Sequence, residues 1–514
     1  MKIMKFKNIL LYAALLSGMS FSSCTDFLDE DSNPNALSPS VFWQNEGDIM
    51  KGLTSVYAAL QPNVSWAVPF ERYMVIDGWR SDEVTHRDDV VSWINISSFN
   101  IESTNSVIRK EWTNLYIGIN YANQCLANIP NVPGDSESLN ALKKQAIAEA
   151  RFLRAYFYYR LYINFGEKVP IYLNALSGTD EEFYPPQAKP GELVALIENE
   201  LKEIQSDLPE SYEESDKGRA TRYTAAALLG KFYMFRRELS KAEVEFKKII
   251  DKEGTLFGLM ENYGDNFDGM HKNNKESLFE VQFTGDRTGG HAEYNLFAIH
   301  LGPMAGLDAY EEAYPTEWMS QTLLADKTVD GKSSDRLLST LIFDDPDCRP
   351  FYYEAGKSFK DYHNEGEIFW HKYVTYTEGM SDYWDDSFFN VSVIRYADVL
   401  LLYAECLNDR GETVEAINYI NKVRARVNVP ALSLSMSKAD VLKHLQDKER
   451  PCELAMEGSR WYDLIRWGIV EETLKAHNKP FVENYVDTKH QLLPIPHGEF
   501  LLNPDWEQNP NYSK

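Results

Sequence analysis

Two stretches near the C-terminus decide the fold: Arg395-Tyr-Ala-Asp-Val-Leu-Leu-Leu-Tyr-Ala-Glu405 and Glu449-Arg-Pro-Cys-Glu-Leu-Ala-Met-Glu-Gly-Ser-Arg-Trp-Tyr-Asp-Leu-Ile-Arg-Trp-Gly468. In both, apolar residues recur at three and four positions, which predicts amphipathic helices. The four-residue spacing of Glu449, Glu453 and Glu457 puts these acids on one helical face, where arginines facing them would neutralise them. Arg151, Arg154, Arg395, Glu405 and Arg460 invite a proton-transfer or anion-binding reading. A structural ion-pair network is the reading we prefer for all eight.

Outward from these blocks, helical periodicity covers Glu46 to Ala59, Arg109 to Ala127, Ser138 to Asn164, Pro190 to Asp207, Tyr223 to Arg236 and Leu239 to Asp251. It returns over Val393 to Asp409, Thr413 to Val427, Lys438 to Glu457 and Ser459 to Ala476, with Gly411, Pro430 and Gly458 as breaks. Small residues at Ala225, Ala226, Ala227, Gly230 and Ala242 alternate with Tyr233, Phe235 and Phe246, as in stacked helix-turn-helix repeats. The fold class predicted is mainly α, a tetratricopeptide-like superhelix. Helical repeats occupy roughly 46–251 and 393–476, and irregular ligand-side segments roughly 60–108 and 255–392.

The N-terminus has the form of an export signal. Lys2, Lys5 and Lys7 precede an apolar run from Ile9 to Leu16 that is too short to span a bilayer, and Ser22-Ser23 lead into Cys24. Ser-Ser-Cys resembles a lipobox, with Phe21 where leucine is usual. Residues 1–23 are thus expected to be a lipoprotein signal peptide, 24–514 a single body, and Cys24 the lipidated residue; plain secretory cleavage is the alternative. Several acyl chains would anchor the protein stably, because each buried methylene adds about 0.8 kcal/mol of membrane affinity.

The formal net charge is −26, and residues 1–23 hold three lysines and no acid, so the remainder is more acidic still. Nucleic acid and anionic lipid would be repelled over most of such a surface, which leaves neutral ligands or basic partners. Cys125, Cys348, Cys406 and Cys452 form no C-x-x-C pair, and the first, third and fourth fall in helical patterns as small buried hydrophobes. No nucleophile elbow, zinc-helix, phosphate-loop or dinucleotide motif is present. His271, His291, His300, His363 and His371 are dispersed, so the sequence assigns neither metal nor cofactor.

Ligand chemistry is expected where the chain is irregular and aromatic. The 63–99 stretch holds Trp66, Arg72, Tyr73, Trp79, Arg80, Asp82, His86, Arg87, Trp93 and Asn95; the 263–384 stretch adds Tyr294, Tyr310, Trp318, Trp370, Tyr383 and Trp384. Sugars present apolar C–H faces and polar rims, so flat rings edged by Arg, Asn and Asp suit them. Candidate glycan contacts are Trp66, Arg72, Trp79, Arg80, Asp82, Trp93, Asn95 and Tyr294. Each of Trp66, Trp79 and Trp93 is either such a platform or a core side chain; Arg80 and Asp82 would alternatively pair with each other. Trp318, in a helical run, is expected inside. On the platform reading, Trp79→Ala or Trp93→Ala weakens glycan binding with little loss of stability.

Further ordered blocks accompany the opening pair: Asp26-Phe-Leu-Asp-Glu30, Trp112-Thr-Asn-Leu-Tyr-Ile-Gly-Ile-Asn120 with Ala122-Asn123, Glu149-Ala-Arg-Phe-Leu-Arg-Ala-Tyr-Phe-Tyr-Tyr159, Leu493-Pro-Ile-Pro496 and Gln508-Asn-Pro-Asn-Tyr512. Together they resemble the SusD/RagB-like nutrient-binding lipoproteins across nearly the whole chain. The resemblance implies a non-enzymatic, lipid-anchored outer-membrane protein facing the cell exterior. It would bind oligosaccharide or polysaccharide and pass it to a SusC-like TonB-dependent transporter. Peptide capture of the RagB type and a surface glycoside hydrolase, which needs only two carboxylates across a sugar, are the alternatives.

Overall fold

The computed structural model describes residues 42–61, 68–87, 89–176, 184–284, 295–348, 352, 354, 356–374 and 389–514. Cys24, Trp66, Tyr294, Tyr383 and Trp384 lie outside these residues. Helices Glu46–Ala58, Ser106–Asn128 and Glu137–Phe165 pack on one another, and their starts follow from capping chemistry. The Asn105 side chain accepts from the Val107 and Ile108 amides, and Ser136 accepts from Leu139. Gly166 stops the longest helix at φ 78°.

Helices Arg222–Phe235 and Leu239–Ile250 form a hairpin, and Tyr396–Asp409 with Thr413–Arg426 forms another. Thr221 and Thr224 cap the first reciprocally. A Cβ at Gly230 would lie 2.4 Å from the Phe246 ring, so the absent side chain is what lets the two helices of that hairpin approach. Leu239–Ile250 also packs on Tyr396–Asp409, which joins the two sequence-distant helical groups into one stack. The architecture is mainly α and tetratricopeptide-like, and its buried apolar cluster runs from Ile49 to Trp506.

Between the helical groups, among the described residues, three two-stranded antiparallel pairings organise the irregular region: Val84–His86 with Ala313–Pro315, Ser277–Val281 with Val391–Arg395, and Leu341–Ile342 with Phe369–Trp370. The second differs from expectation, because Val393 to Arg395 is strand and the helix begins at Tyr396. The β-branched alternation of Val391-Ser-Val-Ile394 suits a strand once a partner is available. Lys438 to Glu457 is likewise not one helix. It runs Lys438–His444, widens to a π segment at Leu445–Glu449 and ends at Leu454, before Met456 at φ 61°. Pro451 cannot donate to a carbonyl one turn back, which fits local widening. Gly468, at φ 71°, separates Arg460–Trp467 from Val470–Ala476.

Cys125, Cys406 and Cys452 are free and buried, and Cys348 is buried too. Burial pushes the Cys125 thiol up to about 12, which leaves these side chains as small hydrophobes.

Candidate functional site

The 68–99 segment is rich in rings and charges, and the fold turns nearly all of them inward. Arg72, Trp79, Arg80, Asp82 and Trp93 are at most 2 % exposed. Arg72 Nε donates to Glu111 at 2.6 Å, and Arg160 bridges Glu111 and Asp77 at 2.9 and 2.5 Å. Trp93 donates its indole N–H to Glu71, which also pairs with Lys110 at 2.8 Å. Trp79 meets Trp93 edge-on at 5.6 Å and stacks on His86 at 5.5 Å.

Asp82 does not pair with Arg80. Arg460 grips it with two 2.8 Å hydrogen bonds, and His477 Nδ1 lies 2.6 Å away. Burial opposes ionisation there, yet Arg460 and His477 together hold Asp82 well below the usual carboxylate range. Arg80 instead donates to Asn164 at 3.1 Å and lies 4.7 Å over the Trp461 ring. Lys479 donates to the Trp79 and Val84 carbonyls. The expected platform of Trp79 and Trp93 edged by Arg72, Arg80 and Asp82 is therefore part of the core, held there by residues up to 400 positions away. Of the six candidates among the described residues, only Asn95 keeps partial exposure, on helix Val91–Ser97.

The acids and arginines of the opening motifs form a scaffold. Arg395 bonds Glu276, Glu453 and Glu457 at 2.5, 3.0 and 2.7 Å, and Arg336 bonds Asp326, Glu449 and Glu453 at 2.7, 3.0 and 3.0 Å. Arg424 reaches Glu449 at 2.6 Å, Arg426 adds Glu276 and Glu453, and Lys372 adds Glu457. Burial opposes charge on Glu453, but Arg426, Arg395 and Arg336 hold its carboxyl down at about 2. Glu405 takes both arms of Arg466, and Arg154 pairs with Glu200 at 3.0 Å. Sequence reasoning missed Glu276, Arg336 and Arg426, for which only the fold supplies the partners.

An open cleft of about 770 Å³ lies on the irregular side, between Met304–Leu324 and Tyr362–Phe369. Tyr314 and Tyr362 line it with Glu311, Glu317, Gln321, Asn364 and Glu367. Glu311, which lines the cleft, and Asp308 three residues before it adopt left-handed φ of 54° and 55°. Such conformations cost on the order of 1–3 kcal/mol each and persist where the surroundings dictate them, often at binding sites. Glu311 earns its conformation by cross-linking the loop: it accepts from the Met304 amide and the Tyr314 hydroxyl, both at 2.7 Å. Gly306, at φ 80°, leaves no room for a side chain, since a Cβ would lie 2.6 Å from Tyr352 and 2.8 Å from Tyr362.

A second recess of about 340 Å³ lies across the Glu317 and Gln321 ridge, with Thr85, Trp318 and His477 on its wall. Trp318 is half-buried rather than fully inside, and it stacks on His477 at 3.9 Å. Tyr314, Tyr362 and the cleft acids were not singled out in the sequence. The aromatic density of the 263–384 stretch gave the region but not these residues. Among the described residues, Asp265, Asp268 and His271 place potential metal-ligand atoms within 4.8 Å of one another on the surface. Asp268 is spent on the His271 ring at 2.7 Å and on two backbone amides, so this group is self-satisfied.

Among the described residues no helix is long and apolar enough to cross a membrane. A family described as "SusD family" matches residues 348–512, and one described as "Starch-binding associating with outer membrane" matches residues 26–234. The chain is 27% identical to the SusD-like protein P25 of Formosa agariphila, over 98% of each chain. A solved SusD superfamily protein from Bacteroides vulgatus superposes with TM-score 0.79 at 24% identity, covering 92% of this chain and 100% of its own. A solved laminarin-binding SusD-like protein gives TM-score 0.73 at 26% identity, covering 91% and 100%. Matches at both ends of the sequence, together with these relatives, support a SusD-type family for this chain.

Proposed function

We propose that this protein captures glycan at the outer-membrane surface and passes it, unbroken, to a TonB-dependent transporter of the SusC type. The observation that carries the reading is the open cleft, where Tyr314 and Tyr362 sit beside a rim of carboxylates and amides on a strained, cross-linked loop. Apolar ring faces suit the C–H faces of a pyranose, and Gln321, Asn364 and the acids suit its hydroxyls. The laminarin-binding relative supports a glycan as ligand, and the likeness of residues 26–234 to a family that associates with the outer membrane supports that location. Cys24 supplies the lipid anchor, and the tetratricopeptide-like face supplies the surface that meets the transporter.

Binding without hydrolysis is the reading supported by the motif acids, which are taken up in ion pairs with buried arginines. Titration of the purified chain against a panel of oligosaccharides tests capture. Binding that leaves the glycan intact after prolonged incubation is the expected result; steady release of new reducing ends would contradict it.

A further inference from the structure

The charge around the cleft is one-sided. Glu311, Glu317 and Glu367 line it, and among its described lining residues there is no lysine and no arginine. Burial, despite the nearby Glu367, lowers the pKa of His363, so that this ring supplies no charge at neutral pH. Arg87 reaches the Met304 sulfur at the rim, 3.6 Å away, but its guanidinium is committed to Asp89, Glu312 and the Tyr310 carbonyl. Across the ridge, the Trp318 recess shares Glu317 and has no lysine or arginine among its described lining residues; its His477 is paired with Asp82.

The acids are held in place. Glu367 accepts from the Asn364 amide at 3.0 Å and its side chain at 2.8 Å, and these bonds lower its pKa. Glu317 accepts from Gln321 at 3.0 Å. Glu311 is fixed from two sides, by the Met304 amide and the Tyr314 hydroxyl. A negatively charged ligand entering here would lose water and meet fixed carboxylates with no compensating cation, so like-charge repulsion selects against it.

Resting on the glycan reading above, we infer that the captured glycan is uncharged, and that uronate-rich and sulfated chains are rejected at Glu311, Glu317 and Glu367. Carboxylates remain good acceptors for the hydroxyls of a neutral sugar, so the same groups that repel an acidic chain bind a neutral one. The recess beyond the Glu317–Gln321 ridge extends this selection along a longer chain.

The test uses the full chain and hexasaccharides of matched length: neutral β-1,3-, β-1,4- and α-1,4-glucans, an oligogalacturonate, an oligomannuronate and a sulfated galactan. The tightest binder is expected to be a neutral glucan, with every acidic probe at least about tenfold weaker at low salt and the gap narrowing at high salt. E317Q and E367Q together narrow it as well, and they leave thermal unfolding in place. An acidic probe that binds most tightly, or a gap unchanged in the double variant, overturns the inference while glycan capture stands. Binding of none of the probes overturns glycan capture itself, and this inference with it.

Discussion

Two regions of this protein look alike in composition and behave oppositely. The 72–95 stretch and the 304–369 stretch both mix aromatic rings with charges. In the first, distant partners claim almost every group: Glu111 and Arg160 around Arg72, Arg460 and His477 around Asp82, Lys479 under Trp79. In the second, Glu311, Glu317 and Glu367 bond only to near neighbours in the sequence, and their cleft stays open. What separates a binding surface from a core here is not residue type. It is whether another part of the chain, far away in sequence, arrives with the complementary group.

Arg460 gives the sharpest way to break the comparison. Arg460→Met removes the partner of a carboxylate that remains buried, and loss of one member of such a pair costs about 3–5 kcal/mol. Denaturant unfolding should show a loss of that size; a loss below about 1 kcal/mol would mean that Asp82 finds water, and the first region would not be core. Trp93→Ala opens a cavity and removes one of the hydrogen bonds to Glu71, with an expected loss of about 3–5 kcal/mol. Unchanged stability with weakened glycan binding would restore the platform reading.

Glu83 provides a smaller test with a defined sign. Burial raises its carboxyl to about 8, from an ordinary value of 4.5. A raised folded value means that the protonated form is favoured by folding, so its contribution is present below pH 4.5 and fades as pH rises toward 8. Glu83→Gln cannot ionise, so it should be more stable than the parent at pH 7, by about 1–3 kcal/mol, with the advantage vanishing below pH 4.5. Unfolding curves of the pair across this range check it, and a variant less stable at pH 7 would show that Arg460 and Lys372 keep Glu83 charged.

The helices were legible because their period is local. Glu46 to Ala59 was expected and Glu46–Ala58 is found; Thr413 to Val427 was expected and Thr413–Arg426 is found. Where a long-range partner intervened, the reading slipped, as at Val391–Arg395, which becomes strand only because Ser277–Val281 lies beside it. The motif acids were read correctly as structural, since four-residue spacing already placed them on one face. Trp79 and Asp82 could not be assigned in the same way, because their partners Lys479, Arg460 and His477 lie more than 300 residues away. Tyr314 and Tyr362 escaped notice for the converse reason: an open cleft is a property of what fails to arrive.

The smallest expected effect on stability belongs to the residues with the largest expected effect on binding. Calorimetric titration of the Tyr314→Ala, Tyr362→Ala double variant with the tightest-binding glycan of the panel tests this directly. An affinity loss of about tenfold or more, with the unfolding transition close to that of the parent, is the predicted result. Parental affinity in the double variant would place the ligand elsewhere and contradict the account.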